Sequence, residues 1–191
     1  MGYKVVVGIS NKHLHVSQAD LEALFGKGYE LTVFKDLGQP GQYACNEKVD
    51  IVGPKGTLKG IRILGPVRPN TQIELSMTDA RSIGIDAPIR ESGDVAGTPG
   101  AKLVGPAGEV DLKEGVIVAL RHVHLTEEQA KEAGVKDKEF VSLKFEGPRA
   151  VIFDNVLIRA NVNYEGEIHL DTDEGNAAGV STGAIGEIIK K

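Results

Sequence analysis

Cysteine is nearly absent from this chain of 191 residues, and the single Cys45 excludes any internal disulfide. Long hydrophobic runs are absent as well. No stretch approaches the roughly 20 apolar residues that a membrane helix needs, and the start, Met1-Gly2-Tyr3-Lys4, runs straight into a strand pattern rather than a secretory leader. A myristoylation signal is excluded too, because Val6 stands where that motif wants Ser or Thr. Basic charge is in short supply: 22 Lys and Arg against 27 Asp and Glu give a net charge of -5, which argues against sequence-independent nucleic-acid binding. Any anionic ligand must then be held by a few local cations. The expectation is a cytoplasmic protein with neither nucleic acid nor membrane as partner, and the sequence does not give its assembly, a homodimer included.

What is present is a hydrophobic share of 41%, enough for a buried core, and an unusual placement of histidine. The stretch Lys12-His13-Leu14-His15-Val16 has a near copy in Arg121-His122-Val123-His124-Leu125. Each follows an apolar run, Val5 to Ile9 in one case and Gly115 to Leu120 in the other, and each is followed by Ser or Thr opening a short helical pattern. On a strand, residues i and i+2 share a face, so each His-x-His aims two imidazoles the same way. One such pair on a strand is more often two surface or packed histidines than a metal site. Two pairs are different: random placement of 5 His yields on the order of 0.1 such pairs in the chain.

Read in order, Lys4 to Ile9 is a buried strand, and Ser17 with Asp20 caps a helix carrying Leu21, Leu24 and Phe25, stopped by Gly26 and Gly28. Tyr29 to Phe34 reads as a short strand and Gly38 to Gln42 as a loop. Lys48 to Val52, Thr57 to Ile63 and Gln72 to Leu75 are short alternating strands separated by Gly or Pro. The segment Pro88 to Pro99 reads as a linker. Thr126 opens a helix ended by Gly134, Glu139 to Phe145 is a strand, and Val151 to Val162 gives further strands. The pattern is mainly β with short α-helices: two tandem small β-barrels related by an internal repeat. The expected boundaries are a first half over residues 1–87, a linker over 88–102 and a second half over 103–191.

Aligning the halves further down sets Thr57 to Ile63 on Ile152 to Ile158, and Ile73-Glu74-Leu75 on Ile168-His169-Leu170. The repeat therefore predicts a third ligand in each copy. His13 and His15 gain Glu74, and His122 and His124 gain His169. Both are plausible zinc spheres, two His with a carboxylate and three His, and each leaves a position open for water or substrate. The alternative is that Glu74 is a solvated strand residue and His169 a packed one.

Beyond the repeat, the residues resemble the PduL-type phosphotransacylases, or phosphate acyltransferases, over nearly the whole chain. The resemblance rests on Gly8 to His15, Lys35 to Gln42, Arg90 to Gly93, Arg121 to His124 and Ile168 to Glu174. It implies an enzyme that converts acyl-CoA and phosphate to acyl phosphate and CoA, using a two-zinc site between two small barrels. It further implies His13, His15 and Glu74 on one zinc, His122, His124 and His169 on the other, and Arg68 on phosphate. Ser10, Lys35, Arg62, Leu64 and Asn176 match positions that line the CoA site. Members housed in microcompartments carry an N-terminal extension that this chain lacks, so the resemblance points to a free cytoplasmic enzyme.

Other motifs carry less. Asp171 to Asn176 lacks the ligand spacing of a calcium loop, and Asp173 and Glu174 read instead as capping the first turn of the helix running toward Ala178. The words Val52 to Gly56 and Val104 to Gly108 lack the ending of a phosphate loop and read as hairpin turns. Cys45 has no histidine nearby in sequence and reads as structural. Two further readings stay open: a two-metal hydrolase of an ester, thioester or phosphate, and metals that merely clamp the two barrels. Phosphate-dependence separates the first from a transferase. Closed four-ligand spheres would mark the second.

Overall fold

In the computed structural model, which describes residues 2–190, alternating short segments form fifteen strands and four short helices. The first run is β1 (Tyr3–Ser10), β2 (His13–His15), α1 (Gln18–Phe25), β3 (Val33–Asp36), β4 (Tyr43–Val52), β5 (Thr57–Gly65), β6 (Gln72–Glu74) and α2 (Met77–Ser82). Then follow β7 (Ile89–Arg90), β8 (Lys102–Val104), β9 (Glu109–Asp111) and β10 (Val116–Ala119). The last run is β11 (His122–Leu125), α3 (Glu127–Ala133), β12 (Phe140–Phe145), β13 (Val151–Ala160), β14 (Glu167–Asp171), α4 (Thr172–Ala178) and β15 (Ile185–Ile189).

One unit is a closed barrel in the order β1-β14-β11-β13-β12-β15, with β15 returning antiparallel to β1. Closure leaves this sheet without an unpaired edge. The other unit is a sheet in the order β7-β10-β6-β2-β5-β4-β8-β9, with β3 added on β4. Each has its own core. In the barrel Val7, Val123, Ile158 and Ile168 are fully buried; in the open sheet Leu14, Ile63, Ile73 and Val116 are. Truncating a side chain such as Leu14 to Ala would cost about 2–5 kcal/mol.

Pairing registers reproduce the repeat. Leu14 lies beside Ile63 in the parallel β2–β5 pair, as Val123 lies beside Ile158 in β11–β13. The strand before each His-x-His behaves alike but pairs across the repeats. Val7 of β1 sits beside Ile168 of β14, and Val116 of β10 sits beside Ile73 of β6. Each repeat thus lends its opening strand to the sheet of the other. For that reason the boundaries drawn at 1–87, 88–102 and 103–191 do not delimit the units. The barrel unit comprises Met1–Asn11, Gly38–Pro40 and Leu120–Lys191, and the sheet unit Lys12–Leu37 and Gly41–Ala119.

Local chemistry explains most of the short elements. Ser17, Ser76 and Thr126 each accept the amide three residues on, and Thr126 with Gln129 and Asp171 with Glu174 form complete capping boxes. Asp171, not the later acids, is therefore the N-cap of α4. The two glycine-proline words are tight turns, closed by Gly53 N to Gly56 O and Gly105 N to Gly108 O, each 2.9 Å. Both turns dock on helix ends: Lys55 N donates to Ile83 O, and Ala107 N to Leu24 O. A Cβ at Gly53 would come within 2.4 Å of Ile83 O, so only glycine permits that approach.

Two expectations are corrected. The strand read over Tyr29 to Phe34 runs instead over Val33–Asp36, because Tyr29 and Thr32 spend their polar groups on the buried Glu47 carboxylate before pairing begins. The segment read as a linker contains β7, which pairs with β10, and is bound into the sheet unit. Among the described residues no helix is long and apolar enough to cross a membrane.

Candidate metal centres

Strand alternation builds the first centre. Leu14 enters the core while His13 and His15 take the opposite face of β2, and they too are buried. Across the antiparallel β2–β6 pair His13 is opposite Glu74, and His15 is opposite Gln72. One ligand atom from each of His13, His15 and Glu74 falls within 4.8 Å of the others. The Nδ1 of His15 is 3.1 Å from Leu64 O, which fixes that nitrogen as the protonated one and leaves Nε2 free to ligate. On Glu74, Oε1 accepts from Gln72 Nε2 at 2.5 Å and Ser92 Oγ at 2.8 Å, while Oε2 faces His13 Nε2 at 3.5 Å.

Electrostatics there favour a metal. Burial, with His13 and Arg68 nearby, pushes His15 down to about 3, so it is neutral and available as a ligand. Burial alone would raise Glu74, yet His13, His15, the Ser92 hydroxyl and Arg68 hold it at about 2. Arg68 is half-buried, and its Nη1 donates to Ser92 Oγ at 3.2 Å. Ser92 thereby joins the arginine to the Glu74 carboxylate. Gln72, 2% exposed, is fixed from behind by Gly93 N donating to its Oε1 at 2.6 Å.

The second centre repeats the layout on the β11–β14 pair. His122 is opposite His169, and His124 is opposite Glu167. The three imidazoles offer nitrogens within 4.8 Å of one another, and the His122 and His169 rings stack with centroids 4.8 Å apart. His122 Nδ1 is anchored on Leu120 O at 2.8 Å, again leaving Nε2. Both ring nitrogens of His124 and the Nε2 of His169 are buried without a formed hydrogen bond. Unpartnered nitrogens on the buried His124 ring, gathered with the His122 and His169 rings so that one nitrogen of each lies within 4.8 Å of the others, fit a divalent metal of the zinc type. Burial, with His122, His169 and Arg159 adding positive charge, pushes His124 down to about 2. Tyr164 stacks on His124 at 4.3 Å, and Glu167 Oε2 comes within 2.9 Å of His169 Nε2.

A matched pair of ties braces the two layouts. Lys12, just before the first His pair, meets Asp79 in α2 at 3.0 Å, and Arg121, just before the second, meets Glu174 in α4 at 3.0 Å. The two triads are thus compatible with two metals per chain.

The remaining residues singled out from the sequence fall into two groups. Lys35, Arg62 and Leu64 lie on β3 and β5 of the sheet unit. The Arg62 guanidinium stacks over the exposed Phe34 ring at 4.3 Å and donates to Cys45 O. Ser10 ends β1 beside Asp171, and Asn176 is exposed on α4, both in the barrel unit. Cys45 is fully buried, and burial with the Glu47 carboxylate pushes its thiol up to about 11, as befits a structural residue. Sequence reasoning missed Gln72, Ser92, Tyr164 and Glu167. Gln72 and Glu167 were available to it, since each precedes a third ligand by two positions and so shares its face.

Comparison with known proteins gives the family. The family model for phosphate propanoyltransferase matches residues 6–181. A phosphate propanoyltransferase of Thermotoga maritima is 51% identical over 187 residues, covering 97% of this chain and 89% of that protein. Those of Listeria monocytogenes and Clostridioides difficile are 49% and 48% identical, with 98% of this chain covered and 88% and 90% of theirs. With identity of this order along nearly its whole length, the chain belongs to the phosphate propanoyltransferase family, a family of phosphotransacylase enzymes.

Proposed function

We propose that the chain is a phosphate acyltransferase that converts a short-chain acyl-CoA, propanoyl-CoA or acetyl-CoA, and phosphate to acyl phosphate and CoA, reversibly. The observation that carries this reading is the tie from Arg68 through Ser92 to Glu74. It joins a half-buried guanidinium, suited by its chemistry to phosphate, to a buried triad of metal-ligand type. The triads His13, His15, Glu74 and His122, His124, His169 would each hold one zinc. Bound zinc supplies a Lewis acid for the thioester carbonyl and a borderline-soft partner for thiolate sulfur.

The chain's own groups do the rest. Arg68 forks onto two phosphate oxygens and orients the dianion, and Ser92 keeps the guanidinium from swinging away. A phosphate oxygen forms a bond to the thioester carbon, the carbon–sulfur bond breaks, and CoA leaves as the thiolate. No side chain has to serve as nucleophile: Cys45 is fully buried, with its thiol held protonated. Lys35 and Arg62 offer cations, and Phe34 an exposed ring, to the anionic nucleotide end of CoA. Leu64, Ser10 and Asn176 complete that assignment.

The test is to incubate the purified chain with acetyl-CoA, propanoyl-CoA or butanoyl-CoA and phosphate, trapping products with hydroxylamine. Acyl hydroxamate should form in step with free thiol. Free carboxylic acid as the only acyl product would replace the transferase with a hydrolase.

A further inference from the structure

The residue two positions before each third ligand faces that ligand in both repeats, with the chemical polarity of the pair reversed. In the first, Gln72 lies opposite His15, and its amide Nε2 donates to the Glu74 carboxylate at 2.5 Å. In the second, Glu167 lies opposite His124, and its carboxylate Oε2 meets the His169 imidazole at 2.9 Å. An accepting ligand has a donating neighbour, and an imidazole has an accepting one. The contact falls on Nε2 at ion-pair distance without a formed hydrogen bond, which leaves Nδ1 as the His169 nitrogen for a metal.

Glu167 is also lodged in place. Gln39, itself 5% exposed, reaches its Oε2 with Nε2 at 3.5 Å. That amide is held in turn by the backbone of Glu165, through Nε2 to Glu165 O at 3.1 Å and Glu165 N to Oε1 at 3.3 Å. Two glycines leave room for the carboxylate: a Cβ on Gly8 would stand 2.5 Å from Oε1, and one on Gly38 3.1 Å from Oε2. A solvated surface glutamate needs no such cradle.

We infer that Glu167 is a positioning residue of the second metal centre, holding His169 and adding one negative charge to a set of three imidazoles. Each centre then has one carboxylate among its four facing side chains. In the first it is a ligand, Glu74; in the second it stands behind a ligand. Carboxylates behind metal-bound histidines typically change affinity 10- to 100-fold. The inference rests on the two-metal reading proposed above.

The test measures zinc affinity by chelator competition in chains with one triad disabled. His13→Ala reports on the second centre and His122→Ala on the first. In the His13→Ala chain, Glu167→Ala should weaken zinc binding about 10- to 100-fold, and Glu167→Gln, whose amide oxygen can still accept, should weaken it less. Zinc affinity in the His122→Ala chain and the melting temperature of the chelator-stripped protein should not change on either substitution. Unchanged affinity at the second centre would overturn the inference, as would equal losses at both centres or a lowered melting temperature in the stripped protein. If the His13→Ala chain with Glu167 intact took up no zinc, the two-metal reading would fall, and the inference with it.

Discussion

His13 stands directly across the β2–β6 pair from Glu74, with Nε2 and Oε2 3.5 Å apart, and His122 stands in the same relation to His169 on β11–β14. Because the third ligand comes from a partner strand, each triad depends on a sheet register and not on a local loop. A slip of one residue would turn Glu74 or His169 to the other face.

Purified protein should therefore carry about two zinc ions per chain, one for each triad. His122→Ala should lose one and most of the activity while the first triad keeps its metal. Elemental analysis gives the count. Full activity after exhaustive chelation, with less than one metal bound, would contradict it.

Arg68→Ala should raise the phosphate KM about 10- to 100-fold, the worth of a charge-assisted contact, while the acyl-CoA KM at saturating phosphate changes much less. Arg68→Lys should recover part of the loss, because an ammonium cannot fork onto two oxygens. Steady-state kinetics with each substrate varied in turn checks this. Equal weakening for both would point to a folding defect.

Ser92 accepts from Arg68 and donates to Glu74. Ser92→Ala should therefore disturb both, raising the phosphate KM and weakening zinc at the first triad, with the second unaffected. A change in phosphate KM alone would mean that Ser92 serves only the arginine.

The Cys45 thiol, raised from 9.0 to about 11, should resist iodoacetamide in the folded protein at neutral pH and react once the chain is unfolded. The sign of the pH effect follows. The folded state keeps the proton where the unfolded state loses it, so this group's contribution falls as pH rises from about 9 toward 11. Urea midpoints of wild type and Cys45→Ala should draw together over that range.

The sequence displayed what recurs along it. Each His-x-His, the third ligand of each copy and the Ser or Thr caps follow from period-two alternation and from laying one half on the other. What it hid is settled by pairing between distant segments. Nothing in the run from Val5 to Ile9 says that it joins the sheet of the opposite repeat, since both choices bury the same side chains. Small and charged residues between Pro88 and Pro99 look like a tether, yet Ser92 reaches Glu74 and Arg68 because β7 pairs with β10. Gln39 looked like loop filling, and its amide instead reaches Glu167.

The most direct measurement is the rate of CoA release from propanoyl-CoA with and without phosphate. The account predicts that release is negligible in phosphate-free buffer, rises with phosphate to saturation, and is matched mole for mole by hydroxylamine-trappable acyl phosphate. CoA release at a similar rate without phosphate would contradict it.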